Sequence, residues 1–154
     1  MTAGASGTTR IELPDVAAMQ VLGSRIAAQL QAGDVVALSG GLGTGKTTLA
    51  RAIIAALGHH GEVPSPTFTI VETYSGTTTI PLVHADFYRL ESPAEADEIG
   101  LDDYREGAAL LAEWPEMAGG FGHEPACLSI LLETAGTGRI AIVNAGPDWL
   151  GRQP

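Results

Sequence analysis

Val35-Val36-Ala37-Leu38-Ser39-Gly40-Gly41-Leu42-Gly43-Thr44-Gly45-Lys46-Thr47-Thr48 joins a short apolar run to a glycine-rich loop. Residues 40–47 fit the spacing G-x-x-x-x-G-K-[ST], in which backbone N–H groups and a lysine hold phosphates and a hydroxyl reaches Mg²⁺. The apolar run has the composition of a buried strand. After the loop, Leu49, Ile53 and Leu57 recur at helical spacing with Ala50 and Ile54 beside them, and Gly58 follows as a stop. Strand, glycine loop and helix therefore stand in the order that aims amide groups and a helix N-terminus at an anion. Lys46 is the only lysine among the eight basic residues. A chain that otherwise uses arginine keeps lysine where a compact ammonium fits and a planar guanidinium does not. The alternative is a flexible glycine turn between core elements, but it explains neither the lysine nor the hydroxyl. The expected nucleotide-binding residues are Leu42, Gly43, Thr44, Gly45, Lys46, Thr47 and Thr48, with a nucleoside triphosphate and Mg²⁺ as the expected ligands.

Outward from this loop, turn signals divide the chain. Ile11 to Leu13 reads as a short strand or edge segment. Pro14 and Asp15 open a helix whose face carries Met19, Leu22, Ile26 and Leu30, with Gly33 closing it and Gly23 weakening the pattern. Phe68 to Tyr74 and Ile80 to Phe87 are β-branched and aromatic runs bounded by Gly or Pro, hence strands. Ser92-Pro93-Ala94-Glu95 has the form of a capping box and predicts a short helix to about Ile99, ended by Gly100. Ala108 to Ala112, Cys127 to Thr134 and Arg139 to Asn144 are further strands. The glycine-rich turn between the last two, Ala135 to Gly138, predicts a hairpin and thus a mixed sheet. The expectation is an α/β fold, a P-loop NTPase-like three-layer sandwich with a mixed central sheet. It forms one domain over 1–154, with about 1–10 and 146–154 as flexible tails.

The formal charge of −10 opposes autonomous binding to a polyanion, because no basic stripe is present to displace counterions. Acidic residues concentrate between Glu91 and Glu106, either as a solvated helix face or as a docking surface for a basic partner. Met1 to Arg10 lacks an apolar core, and no run of about 18 apolar residues occurs, so neither a signal peptide nor a membrane span is expected. A cytoplasmic location follows as an expectation. Cys127 has no second cysteine to pair with and reads as a small core residue.

Two apolar runs end in carboxylates. Leu82-Val83-His84-Ala85-Asp86 places Asp86 where a Walker B-type aspartate would hold Mg²⁺ beside Thr47. Ala109-Leu110-Leu111-Ala112-Glu113 does the same for Glu113, and hydrolysis can use one carboxylate on the metal and one near the attacking water. Either residue read alone is also compatible with an acid at a strand end. Ser65-Pro66-Thr67 could present the Thr67 hydroxyl to a γ-phosphate as switch loops do, or be an ordinary proline turn. Asp97-Glu98-Ile99-Gly100 matches the D-x-x-G of GTPases, but a guanine-reading [NT]-K-x-D element is impossible without a second lysine. Leu38-Ser39-Gly40-Gly41-Leu42 resembles a transporter signature yet overlaps the phosphate loop. His59, His60, His84 and His123 lack metal-ligand spacing, and His59 and His60 read as the polar end of the loop's helix.

Gly-Leu-Gly-Thr-Gly-Lys-Thr-Thr (41–48), Ser-Pro-Thr-Phe (65–68), His-Ala-Asp-Phe-Tyr-Arg-Leu (84–90) and Glu-Trp-Pro-Glu (113–116) together resemble the bacterial TsaE family, also called YjeE. The resemblance spans about Leu38 to Glu116, and Arg139 also fits. It departs at Gly41, where the family commonly has an acidic residue. The resemblance implies an ATPase of tRNA threonylcarbamoyladenosine biosynthesis that works on the TsaD and TsaB proteins and meets tRNA only through that complex, with no membrane role. It further implies phosphate and Mg²⁺ roles for Lys46 and Thr47, metal or catalytic roles for Asp86 and Glu113, and a switch role for Thr67. Trp114 would serve the nucleotide site, the partner surface or the core; Tyr88 and Arg89 could be structural. Two other classes share the loop: a small-molecule kinase, disfavoured by the scattered arginines, and a nucleotide-gated binding module that would not need Glu113.

Overall fold

The computed structural model describes residues 8–64, 66 and 70–154. Its elements are β1 (Thr8–Leu13), α1 (Val16–Gln29), β2 (Val35–Ser39), α2 (Lys46–Ala56), β3 (Val71–Tyr74), β4 (Leu82–Asp86), α3 (Ala94–Glu98), α4 (Leu101–Arg105), β5 (Ala109–Glu113), β6 (Cys127–Ala135) and β7 (Gly138–Ala145). The strands form one sheet in the order β1-β7-β6-β2-β5-β4-β3. The four central strands β6, β2, β5 and β4 are parallel. Both edges are antiparallel, β1 on β7 on β6 at one side and β3 on β4 at the other, so the sheet is mixed.

Alternation along the central strands makes the layers. Val36 and Leu38 join a core cluster with Leu22 and Ile26 of α1 and Leu49 and Ile53 of α2. Val35 and Ala37 point the other way, into a cluster with Phe87, Leu90, Ala96 of α3 and Leu101 of α4. Because both faces are covered, β2 and β5 are near-continuous apolar runs instead of alternating ones, and β4 is buried along its whole length. Asp15 accepts from the Ala18 N–H at 2.8 Å and caps α1, as the sequence predicts. Gly23 proves to be a packing requirement: a Cβ there would lie 2.6 Å from Ala52 Cβ on α2.

The structure refines these expectations at several elements and at both ends. Strand β3 begins at Val71, after Ile70 with a positive φ of 67°, while the expected start at Phe68 lies outside the described residues. Strand β4 starts at Leu82, because Pro81 lacks an N–H for the ladder. Gly100, at φ 80°, turns the chain into α4 as well as ending α3. The C-terminal segment expected to be a flexible tail packs down: Trp149 is fully buried, and its indole N–H donates to Ala126 O at 2.8 Å. Arg152 donates to both Asp34 oxygens, at 2.9 and 3.0 Å. At the other end, residues 8–10, also expected in a tail, pair with β7 in register. No helix among the described residues is long and apolar enough to cross a membrane.

Candidate functional site

The loop between β2 and α2 is shaped by glycines that no other residue could replace without displacement. Gly40 has φ 137°, and a Cβ on it would fall 2.4 Å from Leu132 O. Gly45 has φ 103° and precedes α2, whose N-terminus has no side-chain cap, so its first-turn N–H groups remain available to an anion. Gly41 is different, since nothing lies within 4 Å of a Cβ there. This position acts through its carbonyl, which accepts from Lys46 Nζ at 2.7 Å and from Thr44 Oγ1 at 2.8 Å. The loop's internal bonds therefore need no side chain at this position.

Lys46 Nζ also donates to Gly40 O at 2.8 Å, which leaves the third of its hydrogens uncommitted to these carbonyls. The ammonium sits 4.3 Å from the Trp114 ring centroid, within cation–π range. Burial pulls its pKa below the ordinary lysine value, and the negative charges of Glu113, Glu116 and Asp86 oppose that shift. Trp114 has a left-handed backbone, φ 56° and ψ 52°, a conformation costly for a bulky residue and concentrated at functional sites. Its ring is 4.8 Å from that of Tyr88. Arg139, at the start of β7, fastens the loop from below: Nε donates to Thr44 O at 3.2 Å and Nη2 to Gly43 O at 3.1 Å.

Sheet register brings the acids to this loop. Val83 and Ala85 of β4 face one core while Leu82 faces the other, so His84 and Asp86 point to the side of α1 and α2. On β5, Leu111 and hence Glu113 point the same way. Asp86 lies beside Glu113 in register, and Glu113 beside Leu38 of β2. Thr47 Oγ1 donates to Glu113 Oε1 at 2.7 Å, and His84 Nε2 lies 2.6 Å from Glu113 Oε2. Asp86 Oδ1 accepts from the Tyr88 N–H at 3.0 Å.

A cavity of about 420 Å³ opens over these groups, lined by Leu42, Gly43, Gly45, Lys46, Thr47, Thr48, Asp86, Tyr88, Glu113, Trp114 and Arg139. A second of about 380 Å³ shares Gly45, Thr48 and Arg139 with it and is walled by Leu13, Pro14, Val16 and Met19. Among the sequence-predicted residues, Leu42, Gly43, Gly45, Lys46, Thr47, Thr48, Asp86 and Glu113 converge on one cavity. Thr44 is buried beneath it, and Thr67 lies outside the described residues. No spacing in the sequence announces the clamp of Arg139 on the loop or the bond from His84 to Glu113. Among the described residues no group of three His, Cys, Asp or Glu could hold a metal by itself.

The family model described as "Threonylcarbamoyl adenosine biosynthesis protein TsaE" matches residues 13–140. A protein of Mycobacterium bovis named "tRNA threonylcarbamoyladenosine biosynthesis protein TsaE" is 41% identical over 122 residues, covering 74% of this chain and 73% of its own. A protein of the same name from Streptomyces coelicolor is 44% identical over 100 residues, 64% of this chain and 68% of its own. The crystal structure of Bacillus subtilis YdiB superposes with a TM-score of 0.74 at 27% identity, covering 94% of this chain and 90% of that one.

Proposed function

Because this chain belongs to the TsaE family, we propose that it is a Mg²⁺-dependent ATPase required for threonylcarbamoylation of the tRNA adenosine beside the anticodon, acting on a complex of TsaD and TsaB. One observation carries the ATPase reading: Thr47, next to the loop lysine, donates to a buried carboxylate, Glu113, at 2.7 Å. A small-molecule binding loop has no need of that acid.

The donor set fits a hard cation that arrives with nucleotide. Thr47 and the two carboxylates offer oxygen ligands, and they are too few to hold an ion without phosphate oxygens, which is how Mg²⁺ is ordinarily held. Bound there, Mg²⁺ would neutralise charge on the β- and γ-phosphates. Thr47 and Glu113 would hold it, since Glu113 is on the strand beside β2 and already bonded to Thr47. The sequence offers both carboxylates as metal ligands and leaves open which of them holds the ion and which orients water. Asp86, one strand farther from the loop, would orient the attacking water. Lys46 and the open N–H groups of α2 would bind phosphates, with the Trp114 ring keeping bulk water from the ammonium. The apolar wall of Leu13, Pro14 and Met19 would receive the base.

Phosphate release from ATP, measured without other substrate and with or without the two partner proteins, tests the reading. Partner-stimulated release supports it. Phosphorylation that requires an acceptor would instead indicate a kinase, and binding without turnover a nucleotide-gated module.

A further inference from the structure

His84 has a position that the proposed roles do not use. It is fully buried on β4, flanked in register by Glu72 of β3 and Leu111 of β5. Its Nε2 is 2.6 Å from Glu113 Oε2, while Glu113 Oε1 accepts from Thr47. Each oxygen of this 1%-exposed carboxylate thus has a donor, one on a rigid central strand and one on the phosphate-loop helix. A hydrogen on Nε2 would find its acceptor in Glu113 Oε2. Nδ1 is buried with no partner among the described residues, and a hydrogen placed there would be an orphaned donor.

We infer that His84 is a positioning residue: its Nε2–H pins one oxygen of Glu113 and thereby keeps the other aimed at the Thr47 hydroxyl. Free rotation about the last side-chain bond of a glutamate is broad. Two bonds to opposite oxygens, one from β4 and one from the first turn of α2, remove that freedom. Groups that orient ligating side chains act in this way on reactivity without touching substrate. The inference rests on the ATPase reading for its consequence, but not for its geometry.

Two variants and one spectrum decide it. His84→Gln returns an amide N–H to the Nε2 position, whereas His84→Leu fills similar volume with no donor. Assayed as the full chain with the partner proteins, His84→Leu should lose about tenfold to a hundredfold in kcat. Its affinity for ADP without Mg²⁺ should change by less than about threefold, because the phosphate-binding groups are untouched. His84→Gln should recover most of the rate. In the unliganded native chain, ¹⁵N NMR of the ring should place the hydrogen on Nε2, and that signal should move in Glu113→Gln. Equal rates in the Leu and Gln variants, or a ring hydrogen on Nδ1, would overturn the inference. Should His84→Leu fail to fold, the ring spectrum and the His84→Gln rate carry the decision. A native chain with no turnover beside its partners would sink the ATPase reading, and the ring spectrum would still decide the positioning.

Discussion

Glu113 and Asp86 are two buried acids at neighbouring strand ends, and their environments differ. Glu113 is bonded to the hydroxyl that follows the loop lysine; Asp86 accepts from the backbone at Tyr88. Glu113→Gln should therefore raise the Mg²⁺ concentration needed for half-maximal hydrolysis, since an amide is a poorer ligand for a hard cation. Asp86→Asn should depress kcat at saturating Mg²⁺ with that midpoint little changed. A Mg²⁺ titration of both variants checks the assignment, and a shifted midpoint in Asp86→Asn alone would exchange the roles. Lys46, Thr47 and Thr48 were legible from sequence because the phosphate loop is a local motif. The bonds from His84 to Glu113 and from Arg139 to Thr44 cross 29 and 95 residues of chain, so no spacing announces them. They exist only once strand order is set.

At the scale of elements, Gly23 illustrates why a local rule failed. Glycine inside a helix costs about 1 kcal/mol relative to alanine, and by propensity alone Gly23→Ala should stabilise α1. The added methyl would meet Ala52 Cβ at 2.6 Å and Ala52 backbone carbon at 3.0 Å, where no flexible side-chain end can yield. Overpacking of this kind costs about 1 to 3 kcal/mol, and it should exceed the propensity gain. Chemical denaturation should show a net loss, and nucleotide affinity should fall with it because α2 begins at the phosphate loop. A more stable variant would mean that the two helices can separate without penalty. The capping box was half legible: Glu95 Oε1 accepts from the Glu91 and Ser92 N–H groups, at 2.7 and 3.2 Å, while α3 has no reciprocal side-chain cap at its first residue. Helix α4 is too short to show a period.

Arg105 of α4 fastens the segment before β6 through a two-pronged bond to Glu124, at 3.0 and 2.5 Å. Hydrogen bonding from Arg105 holds the Glu124 carboxyl below its ordinary value of 4.5, against the opposing effect of burial. A depressed folded pKa means that the bond's contribution is complete above the unfolded value and fades as pH falls through the folded one. Glu124→Gln should thus destabilise the fold by about 1 kcal/mol near neutrality, the scale of a partly exposed pair. The deficit should shrink toward zero as the medium is acidified below the ordinary carboxylate range. Thermal melts of both chains across that range test this, and a deficit independent of pH would assign the loss to packing.

For the molecule as a whole, the sandwich and its mixed sheet followed from alternating signals and one hairpin turn, whereas the docked C-terminus did not. Trp149 and Arg152 are held by contacts to Ala126 and Asp34, distant in sequence, and a glycine- and proline-rich end gives no hint of them. Net charge has a more global consequence. At −10 with one lysine, already bonded within the phosphate loop, the chain should bind isolated tRNA weakly at physiological salt, because non-specific affinity depends on neutralised phosphates. Its recognition of a TsaD and TsaB complex would then draw on the exposed acids. Asp102 and Asp103 are exposed on α4, and neighbouring Glu98 and Glu106 add to the same field. If that field steers docking, reversing Asp102 and Asp103 to lysine should slow association most at low salt and least at physiological salt, where exposed charges are screened beyond about 8 Å. Association rates measured across a salt series distinguish the outcomes. An unaltered rate at low salt would leave the acidic segment as a solvated helix face, and tight binding of the lone chain to tRNA would overturn the proposed division of labour, in which tRNA is met only through the TsaD and TsaB proteins.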